Sequence, residues 1–164
     1  MDDQATQKYV SPIESAHTLA SGKGIYTGDR WKESLRDGRV NYYKGENLGD
    51  VTAHPLTKGM ADEIAHIYDM QHDPKYQDIL TFETDEGRRV SRSYQFPMSS
   101  QDLVERRECA ELWARQVYGM CGRLPDFCAN MVLGMYDLYP ELSKLNKDLA
   151  ENARKYFAYA RDND

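Results

Sequence analysis

The sequence predicts a mostly α-helical domain carrying two small β-hairpins. Three observations predict it. Apolar residues recur at helical spacing over 57–70 and again from Leu103 to the end of the chain. Ser99 and Asp102 make a capping-box-like start for one of these helices. Two short β-prone runs are each punctuated by a turn, Lys44-Gly45 in the first and Thr84-Asp85-Glu86-Gly87 in the second.

Taken in order, residues 1–24 are polar and patternless and are expected to form a flexible tail. His17 within it is read as a solvated side chain. A short helix is expected from Thr27, a good cap, to Leu35, with Trp31 and Leu35 on one face and Asp37-Gly38 as its stop. Val40 to Tyr43 and Glu46 to Leu48 read as the first hairpin, and His54-Pro55 as an extended turn. The helix over 57–70 shows Met60, Ile64, Ile67 and Tyr68, backed by Ala61 and Ala65, and His72-Asp73-Pro74 breaks it. Ile79 to Phe82 and Val90 to Phe96 are expected to pair as the second hairpin.

From Ser99 a long helix should bury Leu103, Ala110, Trp113, Ala114, Val117 and Cys121. Gly122-Arg123-Leu124-Pro125 interrupts it, and a further helix is expected from about Asp126 to Met135. A last helix should run from about Pro140 to Arg161, burying Leu142, Leu145, Leu149, Tyr156 and Ala160. Two hairpins among helices call for more protein to cover them. The chain is therefore expected to be a fragment, or one piece of an assembly.

Composition excludes several functions. A net charge of −6 and interleaved acids and bases argue against a nucleic-acid surface. Mean hydropathy is −0.78, and no run of about 18 apolar residues predicts a membrane span. With no secretory leader pattern, a cytoplasmic location is expected. Cys109, Cys121 and Cys128 form an odd set, read as reduced thiols, with Cys109 and Cys121 packing as small hydrophobes on the apolar face of a helix. His66 and His72, six apart across a helix end, do not make a metal pair, and no metal is expected. Phosphate-loop and nucleophile-elbow motifs are lacking. Arg123 stands out, because it sits on a turn between two helices. It can present a planar fork to a phenolate, carboxylate or phosphate, or it can cap the preceding helix, and spacing does not choose between the two.

Several strings resemble the 4-hydroxyphenylacetate 3-monooxygenase family in collinear order from about residue 25 onward. They include Leu35-Arg36-Asp37-Gly38-Arg39-Val40, Asp50-Val51-Thr52 with His54-Pro55, and Gln71-His72-Asp73-Pro74. Gly119 through Phe127, Asn152-Ala153-Arg154 and Arg161-Asp162-Asn163-Asp164 continue the match. The resemblance implies an acyl-CoA-dehydrogenase-like architecture, of which this chain holds the N-terminal helical domain. The central β-barrel and C-terminal helical bundle lie outside it. It also implies hydroxylation of 4-hydroxyphenylacetate or a related phenol with O2 and reduced FAD, the FAD coming from a separate flavin reductase, in a homo-oligomer. The family's substrate-binding arginine falls on Arg123 and a substrate-contacting tyrosine on Phe127, which keeps the ring but lacks the hydroxyl. The catalytic histidine falls beyond Asp164, so no catalytic residue is expected in this chain, which alone should bind no FAD. Three other readings stay open: a binding or regulatory domain without chemistry, half of a split enzyme, and a chain like 4-hydroxybutyryl-CoA dehydratase. For the last, Cys121 sits near a cluster ligand, but Val117 stands where the second would be.

Overall fold

The computed structural model describes residues 24–120 and 125–163. The expected tail over 1–24 lies outside them except for Gly24. Seven helices and two antiparallel hairpins are seen among the described residues. The helices are α1 (Gly28–Ser34), α2 (Lys58–Met70), α3 (Gln77–Leu80), α4 (Ser100–Gln116), α5 (Pro125–Asp137), α6 (Tyr139–Leu145) and α7 (Lys147–Asp162). None of the described helices is long and apolar enough to cross a membrane.

Local chemistry sets most boundaries. Thr27 caps α1 by accepting from the Arg30 amide. At α4 the capping box forms in full: the Asp102 amide donates to Ser99 Oγ, and the Ser99 amide donates back to the Asp102 carboxylate at 2.7 Å. The hairpin of β1 (Tyr42–Tyr43) and β2 (Glu46–Asn47) turns through Lys44 at φ 50° and Gly45 at φ 83°. Successive positive φ values there match the twist of the flanking strands. In the second hairpin β3 (Thr81–Glu83) pairs β4 (Arg89–Ser91), with Phe82 opposite Val90. It is shorter than expected: Ile79 and Leu80 belong to α3, and Arg92–Tyr94 form a 3-10 turn.

Two apolar clusters hold the helices. One joins Ile67 and Met70 of α2, Leu80 of α3, and Cys109, Trp113 and Val117 along α4. The other joins Tyr94, Ala129, Leu133, Tyr136 and Phe157, with the Tyr136 and Phe157 rings stacked at 4.6 Å. Each fully buried large side chain contributes roughly 1.5–3 kcal/mol. α1 lies close on α2 because Gly28 has no side chain. Its amide donates to Asp69 Oδ1 at 2.8 Å, and Trp31 stacks on Tyr68 at 5.9 Å.

Three expectations are corrected. The run from Pro140 to Arg161 is two helices, because Asn146 takes an extended backbone and its side chain accepts from the Asp148 and Leu149 amides. A local side-chain cap competes with helix continuity. The buried face of α7 is also not the leucine stripe. Ala150, Ala153, Phe157 and Ala158 point inward, while Leu145, Leu149 and Tyr156 are exposed. Small residues let α7 approach its neighbours closely. On α2 and α4, Met60 and Leu103 face outward rather than in.

The final turn of α7 is anchored by charge. Arg161 and Asp162 are both buried and pair with each other at 2.7 Å. Asp162 also pairs with Arg88 of the second hairpin at 2.7 Å, and its carbonyl accepts from the Gly24 amide.

Candidate functional site

The region singled out by sequence is the joint between α4 and α5. α4 ends in two successive left-handed residues, Tyr118 at φ 53° and Gly119 at φ 70°. The Gly119 amide donates back to the Ala114 carbonyl at 2.8 Å, which closes the helix end and turns the chain away. A tyrosine in this conformation is strained, at a cost on the order of 1 kcal/mol, yet its ring is 91% exposed. Arg123 lies outside the described residues, as does Cys121. Pro125 then opens α5, where its fixed φ and missing N–H suit the first helical position.

Phe127 sits in the first turn of α5 and is 49% exposed. It heads a stripe, Phe127, Met131, Met135 and Leu138, along the outer face of the helix and just past its end, opposite the buried Ala129, Leu133 and Tyr136. Beside the joint, an apolar cleft of about 350 Å³ opens between α2 and the end of α4. Met60, Ile64, Val117, Tyr118 and Met120 line it, and a hydrogen bond from Gln116 to Glu63 edges it at 3.2 Å. Such walls hold a flat apolar group, with the Glu63 carboxylate at the rim. Phe127 is not part of that lining.

Two of the three histidines among the described residues contact the backbone. The Leu56 amide donates to His54 Nδ1 at 3.2 Å, His72 Nε2 lies 3.1 Å from the Tyr26 carbonyl, and His66 is exposed. Among the described residues no group of three or more His, Cys, Asp and Glu could hold a metal ion. Cys109 is buried against Trp113 and Leu80, and burial pushes its thiol up to about 12, so it stays protonated and packs as a small hydrophobe.

Two arginines that sequence reasoning passed over organise the ground below the joint. Arg92 is buried and donates to the carbonyls of Asp78, Ile79 and Thr81 at 2.8–2.9 Å and to Gln95, while pairing with Glu105 of α4. Hydrogen bonds from Gln101 and Gln95, with the charge of Arg92, hold the Glu105 carboxyl below the usual range. Arg106 donates to the carbonyls of Ser93 and Gln95 and to Asn130 of α5. Burial lowers its pKa from the ordinary arginine value. Its signal was present: Arg106 shares the helix face of Cys109 and Trp113, three and seven residues on. Arg92 gave no such signal, because most of its partners are backbone carbonyls.

Comparison with known proteins places this geometry. Residues 27–164 match the family model described as 4-hydroxyphenylacetate 3-hydroxylase N terminal. The oxygenase component of 4-hydroxyphenylacetate 3-monooxygenase from Thermus thermophilus is 39% identical over 139 residues, which is 84% of this chain and 28% of that protein. The oxygenase component of a 4-nitrophenol 4-monooxygenase/4-nitrocatechol 2-monooxygenase from Rhodococcus opacus is 47% identical over 93 residues, covering 57% of this chain and 18% of its own. A crystal structure of an oxygenase component of 4-hydroxyphenylacetate 3-monooxygenase, complexed with FAD and 4-hydroxyphenylacetate, superposes with a TM-score of 0.72 at 38% identity. It covers 84% of this chain and 28% of that one. An archaeal 4-hydroxybutyryl-CoA dehydratase from N. maritimus shares the fold, with a TM-score of 0.68 at 20% identity over 82% of this chain and 27% of its own. The chain thus spans a little over a quarter of the length of the Thermus thermophilus relative and of the superposed oxygenase structure. On the family match over 27–164, the chain belongs to the 4-hydroxyphenylacetate 3-hydroxylase N-terminal family.

Proposed function

We propose that this chain forms the N-terminal helical domain of a cytoplasmic, flavin-dependent monooxygenase that hydroxylates 4-hydroxyphenylacetate or a related phenol. The observation that carries the reading is the match of 27–164 to the family, with a relative crystallised with FAD and 4-hydroxyphenylacetate. In this reading a separate reductase supplies reduced FAD, the barrel and bundle complete the site, and the enzyme is a homo-oligomer.

Thr27, Ser99 and Asn146 cap the starts of α1, α4 and α7, which leaves those helix ends less open to a phosphate, while α2 starts without a side-chain cap. When bound elsewhere in the assembly, reduced FAD supplies the electrons that activate O2. This chain's share is to hold the ring. Arg123 presents a guanidinium to the phenol oxygen and favours the phenolate, and Phe127 packs a ring against the substrate without donating a hydrogen bond.

The test is a hybrid in which this chain replaces the matching region of the Thermus thermophilus relative, assayed with reduced FAD. Arg123→Ala should lower kcat/KM about ten- to a hundredfold, the loss of roughly 1.5–3 kcal/mol from a charge-assisted hydrogen bond, and leave Tm unchanged. Arg123→Lys should recover little. A variant that keeps its turnover and loses several degrees of Tm makes Arg123 a helix cap. A folded hybrid that hydroxylates no phenol overturns the functional reading.

A further inference from the structure

The apolar cleft between α2 and the end of α4, at about 350 Å³, carries one charged group in its lining, Glu63. Met60, Ile64, Ile67, Val117 and Met120 make most of the rest. The Glu63 side chain is half-buried, and among the described residues no cation pairs with it. Lys32 and Lys58 both pair with Asp62, and Arg115 pairs with Glu111. Gln116 donates to one oxygen of Glu63 at 3.2 Å. That bond holds the carboxylate at the rim and leaves its second oxygen, together with the Gln116 side-chain oxygen, as acceptors. Acceptors set over an apolar floor lose solvation unless a donor meets them.

The second observation is Tyr118, which lines the same cleft. Its backbone is left-handed at φ 53°, a conformation that a residue other than glycine holds only at a cost, and its ring stands exposed. An aromatic ring and a carboxylate in one lining are the two groups that hold an ammonium. Methionine walls, as at 60 and 120, adapt to a hydrocarbon of irregular shape.

We propose that this cleft binds a hydrophobic primary amine in its protonated form. The ammonium meets Glu63 and Gln116 at the rim beside the Tyr118 ring, and the hydrocarbon body lies on Met60, Ile64 and Val117. Three N–H donors suit the two acceptors, whereas a carboxylate ligand is repelled by Glu63.

Titration of the isotopically labelled chain with cyclohexylmethylamine, followed by NMR, tests this. The amine should shift the Glu63, Ile64 and Val117 amides saturably, with a Kd on the order of 1 mM or below. Cyclohexylmethanol, its neutral counterpart of nearly equal size, should bind about tenfold more weakly, and cyclohexanecarboxylate more weakly still. Glu63→Gln should bring the amine down to the affinity of the alcohol and leave the alcohol unchanged. Tyr118→Gly suits the left-handed backbone, so it should weaken the amine severalfold while Tm holds or rises. The inference is overturned if the alcohol binds as tightly as the amine, if the Glu63→Gln chain binds the amine undiminished, or if no saturable shift appears. Because the readout is equilibrium binding without flavin or turnover, its failure is separable from a failure to hydroxylate phenols.

Discussion

Arg92→Met should cost about 3 kcal/mol of stability. The Arg92 guanidinium is the partner of three backbone carbonyls, those of Asp78, Ile79 and Thr81, where α3 runs into β3. Stranding each costs about 1 kcal/mol or more. The Glu105 ion pair adds less, because that carboxylate is a third exposed and finds water when its partner leaves. Methionine restores part of the apolar contact, which keeps the total near 3 rather than 5 kcal/mol. For a domain of this size that is a drop in Tm of roughly 6–12 °C. Calorimetry of wild type, Arg92→Met, Glu105→Gln and the double variant separates the parts. Glu105→Gln alone should cost no more than about 1 kcal/mol, and the double variant should melt close to Arg92→Met. A Tm shift under about 2 °C for Arg92→Met, or an equal loss from Glu105→Gln, refutes the view that carbonyl satisfaction is what Arg92 contributes.

Three further outcomes are expected. Gly28→Ala places a Cβ 2.5 Å from the Ala65 carbonyl oxygen, so α1 must shift off α2; urea melts should show a loss of about 2–3 kcal/mol, and quenching changes should report the Trp31–Tyr68 stack. In a Cys121→Ser background, thiol reagents at pH 8 should label Cys128 quickly and Cys109 only on unfolding. Since the Cys109 thiol is raised from 9.0 to about 12, its contribution to stability is full below pH 9 and fades as pH climbs towards 12, which melts between pH 8 and 11 will read. Tyr118→Gly relieves a left-handed tyrosine and should raise stability by up to about 1 kcal/mol; a decrease instead would mean that its ring packs on something in the fold.

The elements were readable because their signals are local. The capping box at Ser99, the Lys44-Gly45 turn and the glycine at 87 each act within a few residues. Which face of a helix turns inward was not readable at α7. Leu145, Leu149 and Tyr156 follow helical spacing as well as Ala150, Ala153 and Phe157 do, and periodicity cannot say which of two apolar stripes a neighbour covers. The aromatic pair Tyr136–Phe157 chose the small-residue face, a contact between distant parts of the chain. The break at Asn146 was missed for a different reason: the leucines on either side kept the helical pattern running through a side-chain cap. At the site, spacing singled out Arg123 and left its role open. The role came from resemblance to a family, and Arg123 lies outside the described residues. Arg92 could not have been found by pattern, since any residue can offer a carbonyl.

The joint at Asp162 bears on the order of folding. The contacts of α1 with α2 and of α6 with α7 close over short stretches of chain and can form early. The Asp162 carbonyl reaches the Gly24 amide across nearly the whole described sequence, and its carboxylate reaches Arg88 across about half of it. Loop-closure entropy places such contacts late, after both clusters have condensed. During synthesis the second hairpin must therefore wait, its Arg88 guanidinium paired with Glu86 but not yet with Asp162, until α7 has left the ribosome. A nascent chain stalled before Asp162 would hold its helices but leave that hairpin open to proteases and to chaperones.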